Sequence, residues 1–295
     1  MNNQRKAMVY GLLAVLAWST VATAFKLALK LMDHFQLLFL ANIFSLLSLG
    51  LVLVFQRRLG LLLRAGRRQF AMCAGLGLLN PFLYYLVLFK AYDLLPAQVA
   101  QPLNFTWALT LAWLAVPILG QRLRLRDGLA GIICYSGVFV LTTGGDLGSL
   151  KVDSGLGVAL GLGSTLIWAL YWLANARMKF DPVAGLFLGF LFSLPAVTVV
   201  TWAFSDFQIP AGGVAFGAYV GALEMGFTFV LWLTAMRLTT STARIANLIF
   251  LAPFLSLVFI HFVLGEHLRA ATVPGLVLIV AGLWYQSTGK KEVRA

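Results

Sequence analysis

The chain has 295 residues, 61% of them apolar and 11% charged, with a mean hydropathy of +0.90. That composition excludes a soluble globular domain and reads as an integral membrane protein. The net charge of +12 raises nucleic acid as a partner, but the basic residues cluster in short loops between apolar runs, so that reading is set aside.

About 20 apolar residues cross a bilayer as a helix, and ten runs of roughly that length follow one another. Arg5 and Lys6 precede segment 1, 8–29, which carries Trp18. Its Ala22-Thr23-Ala24 imitates a signal-peptidase site, yet apolar sequence continues to Leu29, so a retained helix is expected. Segment 2 is 35–55, and Arg57, Arg58, Arg64, Arg67 and Arg68 follow it. Segment 3, 70–89, contains Cys73, Asn80-Pro81, Tyr84 and Tyr85. Its proline removes a backbone hydrogen bond and predicts a kink. Segment 4, 97–118, contributes Gln98, Gln101, Asn104 and Phe105, and Arg122, Arg124 and Arg126 come after it.

Segment 5, 127–144, holds Cys134. Two cysteines inside apolar helices read as small apolar residues, not as a disulfide or a metal site. Segment 6, 155–175, carries Trp168, Tyr171 and Trp172 and leads into Arg177 and Lys179. Segment 7 is 182–203. Segment 8, 212–234, contains Glu224, Phe227 and Trp232. Segment 9, 243–264, contains Arg244, Asn247 and His261, with Arg237 and Arg244 flanking the turn before it. Segment 10, 271–288, precedes Lys290, Lys291 and Arg294. On this path 17 of the 22 basic residues fall on one side; Lys30, Lys90, Lys151 and Arg269 fall on the other, and Lys26 lies within segment 1. The positive-inside rule then predicts a multi-pass protein of the cell (inner or plasma) membrane with both termini cytoplasmic.

The chain reads as a single transmembrane domain, 1–295, made of two five-segment halves, 8–144 and 155–288. Gly11/Gly161, Trp18/Trp168 and Ala24/Ala174 match at an offset of 150, whereas Leu103/Leu248, Phe105/Phe250, Leu119/Leu264, Gly120/Gly265 and Leu123/Leu268 match at 145. Five is odd, so the second copy would enter the bilayer inverted. Inverted repeats are an architecture of secondary transporters, with substrate held near the midplane between the halves. The expected fold is therefore all-α, ten transmembrane helices as two inverted repeats.

Polar groups at membrane depth mark candidate sites. Glu224 lies near the centre of segment 8, where an acid costs about 2.5–3.5 kcal/mol and must face a cavity or a partner. It is the candidate proton-coupling or cation site; the plainer reading is a pin between helices. At an offset of 144 Gly77 matches Gly221, which sets Asn80 opposite Glu224. Gln101 and Asn247 are deep enough to contact substrate, although helix–helix hydrogen bonds explain such residues at low cost. Arg244 or Asn247 is placed to reach towards Glu224. Trp18, Tyr84 and Trp168 lie away from the interfacial belts and are candidates for a cavity wall suited to flat or cationic solutes. No nucleotide-binding, metalloprotease or nucleophile-elbow motif occurs, so neither a cofactor, a metal nor an enzymatic role is expected.

Leu16-Ala-Trp-Ser19, Ile118-Leu-Gly-Gln-Arg-Leu123 and Val263-Leu-Gly-Glu-His-Leu268, set in the duplicated pattern, resemble the EamA family of the drug/metabolite transporter superfamily. Gln121 stands where the first copy usually has the Glu found at Glu266. The resemblance implies ten helices, with 1–4 and 6–9 around a central cavity, 5 and 10 peripheral, and export or exchange of small metabolites. The leading expectation is a secondary transporter of an amino acid, an analogue or an amphipathic or aromatic compound, working by alternating access in contact with membrane lipid. An exchanger of phosphate-bearing anions wants midplane Lys or Arg, and the only candidates, Lys26 and Arg244, are off-centre. An intramembrane enzyme or lipid-handling protein lacks a nucleophile or metal motif.

Overall fold

A bilayer offers no hydrogen-bond partner to a bare peptide group, so chains this apolar satisfy their backbone within helices. The computed structural model, which describes residues 3–120, 125–145, 153–240 and 242–288, is helical in all its regular elements, almost entirely as α-helix. Nine helices among the described residues are long and apolar enough to cross a membrane: α1 Asn3–Leu29, α2 His34–Phe55, α3 Arg67–Leu94, α4 Ala97–Leu119, α5 Leu125–Thr142, α6 Gly155–Asn175, α7 Pro182–Phe204, α8 Ala211–Leu238 and α9 Arg244–Leu264. The tenth segment forms the shorter helix α10, Thr272–Ser287, of 16 residues. At about 1.5 Å per residue it covers roughly 24 Å, less than the hydrocarbon thickness. Gln121 and Leu123, with the basic Arg122, Arg124, Lys151, Lys290, Lys291 and Arg294, lie outside the described residues.

The helices are apolar outwards and mixed inwards, as a lipid-facing bundle requires. Trp202, Phe204 and Phe262 are each more than two-thirds exposed. Inside, Asn42 Nδ2 donates to Ser193 Oγ at 2.7 Å between α2 and α7, and Thr110 pairs with Thr165 at 2.9 Å between α4 and α6. Asp33 caps the start of α2 through Phe35 and Gln36, and Asp181 caps α7 through Val183 and Ala184. An oxygen acceptor there satisfies amides that the first helical turn leaves free.

Packing crosses between the halves. α1 lies against α8 and α9; α6 lies against α3 and α4; α2 and α7 touch each other, α2 also touching α8 and α7 touching α3; α5 and α10 form their own pair. Small residues set these approaches. A Cβ on Gly77 of α3 would collide with the Gly189 carbonyl of α7, and one on Gly221 of α8 would collide with the Ala41 carbonyl of α2. A Cβ on Gly11 would come 2.9 Å from Leu248, and one on Gly161 3.4 Å from Leu103.

Several spans are locally distorted, and the distortions recur. Residues Leu78–Leu83 of α3 and Val220–Phe227 of α8 are π-helical, and the first of these is interrupted at Asn80 by φ −147° and ψ 118°. α4 breaks at Thr106, and α9 narrows to a 3-10 turn over Asn247–Leu251. Both α4 and α9 end on a glycine in the left-handed region, Gly120 at φ 66° and Gly265 at φ 69°. α1 breaks at Thr20, whereas α6 continues unbroken. The kink expected from Pro81 is present, its irregular residue being Asn80.

Candidate functional site

α1, α3, α4, α6, α8 and α9 enclose a cavity of about 200 Å³. Its wall is dominated by aromatic rings. Trp168 stands at the centre of them, 4.5 Å from Tyr84, 5.8 Å from Trp172, 6.1 Å from Phe229 and 6.4 Å from Trp107 between ring centroids. Trp18 lies opposite, 5.6 Å edge-on to Phe229 and 5.4 Å from Trp232. Offset and edge-to-face pairs at these separations hold rings in fixed orientations beyond what area burial supplies. The faces left open present electron-rich surface to whatever enters.

Glu224 is the one acidic side chain among the described residues on this wall. Its Oε1 accepts the Tyr85 hydroxyl at 3.1 Å, while Oε2 is buried without a hydrogen-bond partner among the described residues. The π-helical turns of α8 account for which neighbours share its face. An α-helix aligns residues three and four apart, whereas π-turns close five apart. Phe229, five residues after Glu224, accordingly lines the cavity, and Phe227 is exposed and stands off it. The glycines permit that path: Gly221 abuts Ala41, and a Cβ on Gly226 would collide with Ser48 of α2.

Two other polar groups face the same space. Gln101 is buried with Oε1 unpartnered among the described residues, as is the indole Nε1 of Trp172. Asn104 is committed, accepting from Tyr84 at 3.3 Å and donating to Ser164 Oγ at 3.1 Å. That network ties α3, α4 and α6 together at the level of the wall.

Of the residues singled out from sequence, Trp18, Tyr84, Gln101, Trp168 and Glu224 meet around this cavity. Asn80 and Asn247 are elsewhere. Asn80 is buried off the cavity lining, its carbonyl beside Gly189 of α7 and its side chain within hydrogen-bond reach of Tyr171 of α6, with Oδ1 unpartnered among the described residues. Asn247 and Arg244 are exposed; the hydrogen-bond partner of Glu224 is Tyr85, not either of them. Tyr85 and Phe229 were not selected from sequence as site residues, although Tyr85 follows Tyr84 and lies five residues after Asn80. The signal that would have found them is a π-turn, which apolar periodicity does not reveal.

At one end of the bundle a second polar cluster ties helix ends. Glu266 accepts from the amides of Ala97 at 3.0 Å and Gln98 at 3.4 Å, capping α4. Gln98 Oε1 in turn accepts from Thr272 Oγ1 at 2.6 Å and from the Arg269 amide at 3.0 Å. Gln98 is thus structural, while Gln101, one turn on, faces the cavity. Lys26 Nζ donates to the carbonyls of Tyr92 at 2.8 Å and Leu95 at 3.0 Å, satisfying the last turn of α3. His261 is exposed near the same end, with Nδ1 3.1 Å from the Glu266 carbonyl oxygen.

The uncharacterized transporter YvbV of Bacillus subtilis (strain 168) is 24% identical over 232 residues, spanning 74% of this chain and 72% of its own. A crystal structure with 21% identity superposes over 95% of each chain at a TM-score of 0.67, a likeness of fold alone. The EamA-like transporter family matches twice, over residues 5–143 and 155–288. The chain belongs to the EamA-like transporter family, within the drug/metabolite transporter superfamily, and is a membrane transporter and not an enzyme.

Proposed function

We propose that this protein is a secondary transporter that moves a small amphipathic or aromatic metabolite by alternating access around the aromatic cavity, with Glu224 as its proton-coupling or cation-binding group. The observation that carries the reading is a buried carboxyl group on a residue lining the ring-walled space, with one oxygen held by Tyr85 and the other without a partner among the described residues. Carboxyl groups at membrane depth are retained at a cost and mark ion or substrate pathways. No Lys, Arg or His lies among the described residues on the cavity wall, which counts against a phosphate-bearing anion as substrate.

The crosswise packing supports ten helices in two inverted five-helix repeats. A two-fold axis in the membrane plane would exchange α1 with α6, α3 with α8 and α4 with α9, and would leave the α2–α7 and α5–α10 pairs mapped onto themselves. The observed neighbours follow that scheme, down to Gly11–Leu248 mirroring Gly161–Leu103. Such symmetry supplies two equivalent gates on opposite sides of one site. Both termini belong in the cytoplasm on this reading, in the inner or plasma membrane.

Flux into liposomes under an imposed pH gradient tests the coupling role. Glu224→Gln preserves volume and removes the titratable group, and should lower gradient-driven flux at least about tenfold, equivalent to roughly 1.4 kcal/mol. Flux equal to that of the unaltered protein sinks the coupling role of Glu224.

A further inference from the structure

Resting on that reading of the cavity, its unpaired polar atoms define the head group of the solute. Glu224 Oε2 and Gln101 Oε1 are both acceptors, both buried, and both without a partner among the described residues. A buried acceptor calls for an N–H or O–H donor, and a carboxylate at this depth also calls for a counter-charge. None of the described residues on the wall supplies that charge. Lys26, the basic residue in the last turns of α1, directs its ammonium to the Tyr92 and Leu95 carbonyls instead.

We propose that the cavity selects protonated primary or secondary amines bearing one flat apolar group, and discriminates against quaternary ammonium ions and against amino acids. The ammonium donates to Glu224 Oε2 and Gln101 Oε1, while the apolar group stacks within the Trp18, Trp168 and Phe229 faces. A quaternary head keeps its charge and its attraction to the rings but has no N–H, so both acceptors stay unpaired. An amino acid brings a carboxylate that meets neutral donors on this wall, such as Trp172 Nε1 and Gln101 Nε2, but no Lys, Arg or His among the described residues there to neutralise it. An uncharged alcohol leaves Glu224 without its counter-charge.

The test is a matched set on the detergent-purified full chain: 2-phenylethylamine, its N,N,N-trimethyl derivative, phenylalanine and 2-phenylethanol, followed by quenching of tryptophan fluorescence and by thermal shift. The amine should bind about tenfold or more tightly than each of the others, the loss expected for an unpaired charged hydrogen bond. Gln101→Leu should weaken the amine by about fivefold or more and leave the trimethyl compound no weaker, since only the former uses the Gln101 oxygen. Equal or tighter binding of the trimethyl compound or phenylalanine overturns the amine preference while leaving the cavity as a substrate site. Binding of none of the four overturns both the preference and the cavity assignment. The comparison within the unaltered protein stands even if the variant does not fold.

Discussion

Glu224 and its partner show how a single helical irregularity chooses the residues of a site. In a regular α-helix the cavity-facing neighbours of Glu224 would be Phe227 and Thr228; with π-turns over Val220–Phe227 the ring that follows it into the wall is Phe229. The two phenylalanines therefore make a test of register. Phe229→Ala should raise the KM for a transported aromatic solute several-fold, about 1–2 kcal/mol of lost ring contact, whereas Phe227→Ala, at an exposed position, should leave transport kinetics unchanged. The opposite ranking would place α8 in an α-helical register. Residue identity and depth singled out Glu224, Trp18, Trp168, Tyr84 and Gln101, which the fold brings to one cavity. Asn80 is off that lining, at an interruption of α3. A sequence offset gives equivalence of position along two helices; it does not give equivalence of surroundings when the backbone of one is interrupted.

Among elements, apolar length placed every span to within a few residues, since hydrocarbon thickness sets helix length almost independently of sequence detail. The interruptions at Thr20 and Thr106 were not legible, since these residues carry no signal distinguishing them from helical threonines. The 3-10 turn over Asn247–Leu251 runs up to Pro253, which has no N–H to donate to the Ile249 carbonyl. The Leu-Gly-Glu-His-Leu stretch does have a readable structural purpose: Gly265 turns the chain out of α9 in the left-handed region, and Glu266 reaches the free amides of α4. Removing that acceptor with Glu266→Ala should destabilise the protein by about 1 kcal/mol, seen as a lower thermal unfolding midpoint in detergent. No drop would mean that other groups satisfy the Ala97 and Gln98 amides. The cap carries over to stability, with transport affected only as far as α4 is displaced.

At the scale of the molecule, the proposed repeat pairs two crossings: α1 over α9 at Gly11–Leu248, and α6 over α4 at Gly161–Leu103. If alternating access opens one while holding the other, freezing either should stop turnover. Gly11→Cys with Leu248→Cys, or Gly161→Cys with Leu103→Cys, should on oxidation lose about 90% or more of flux and regain it with reductant, a change of about tenfold. Undiminished flux in a fully cross-linked sample would argue against motion at that crossing. The pairings α5–α10 and α2–α7 could not be read from the duplicated pattern in the sequence, because such contacts depend on how its two sets of segments interleave.

α3 ends at Leu94 and α4 begins at Ala97, so only Leu95 and Pro96 join them. Two residues reach about 7 Å even when fully stretched, which leaves this joint with almost no slack. Lys26 fastens one side of it and Glu266 the other. Tyr85 on α3 and Gln101 on α4 are thus carried on one short leash, and a solute held between Gln101 and the Tyr85–Glu224 pair senses its anchor points on α3 and α4 as a single jaw. On the proposed alternating-access reading, the stroke that admits or releases it then falls to the facing helices α8 and α9, which carry Glu224 and Ile249.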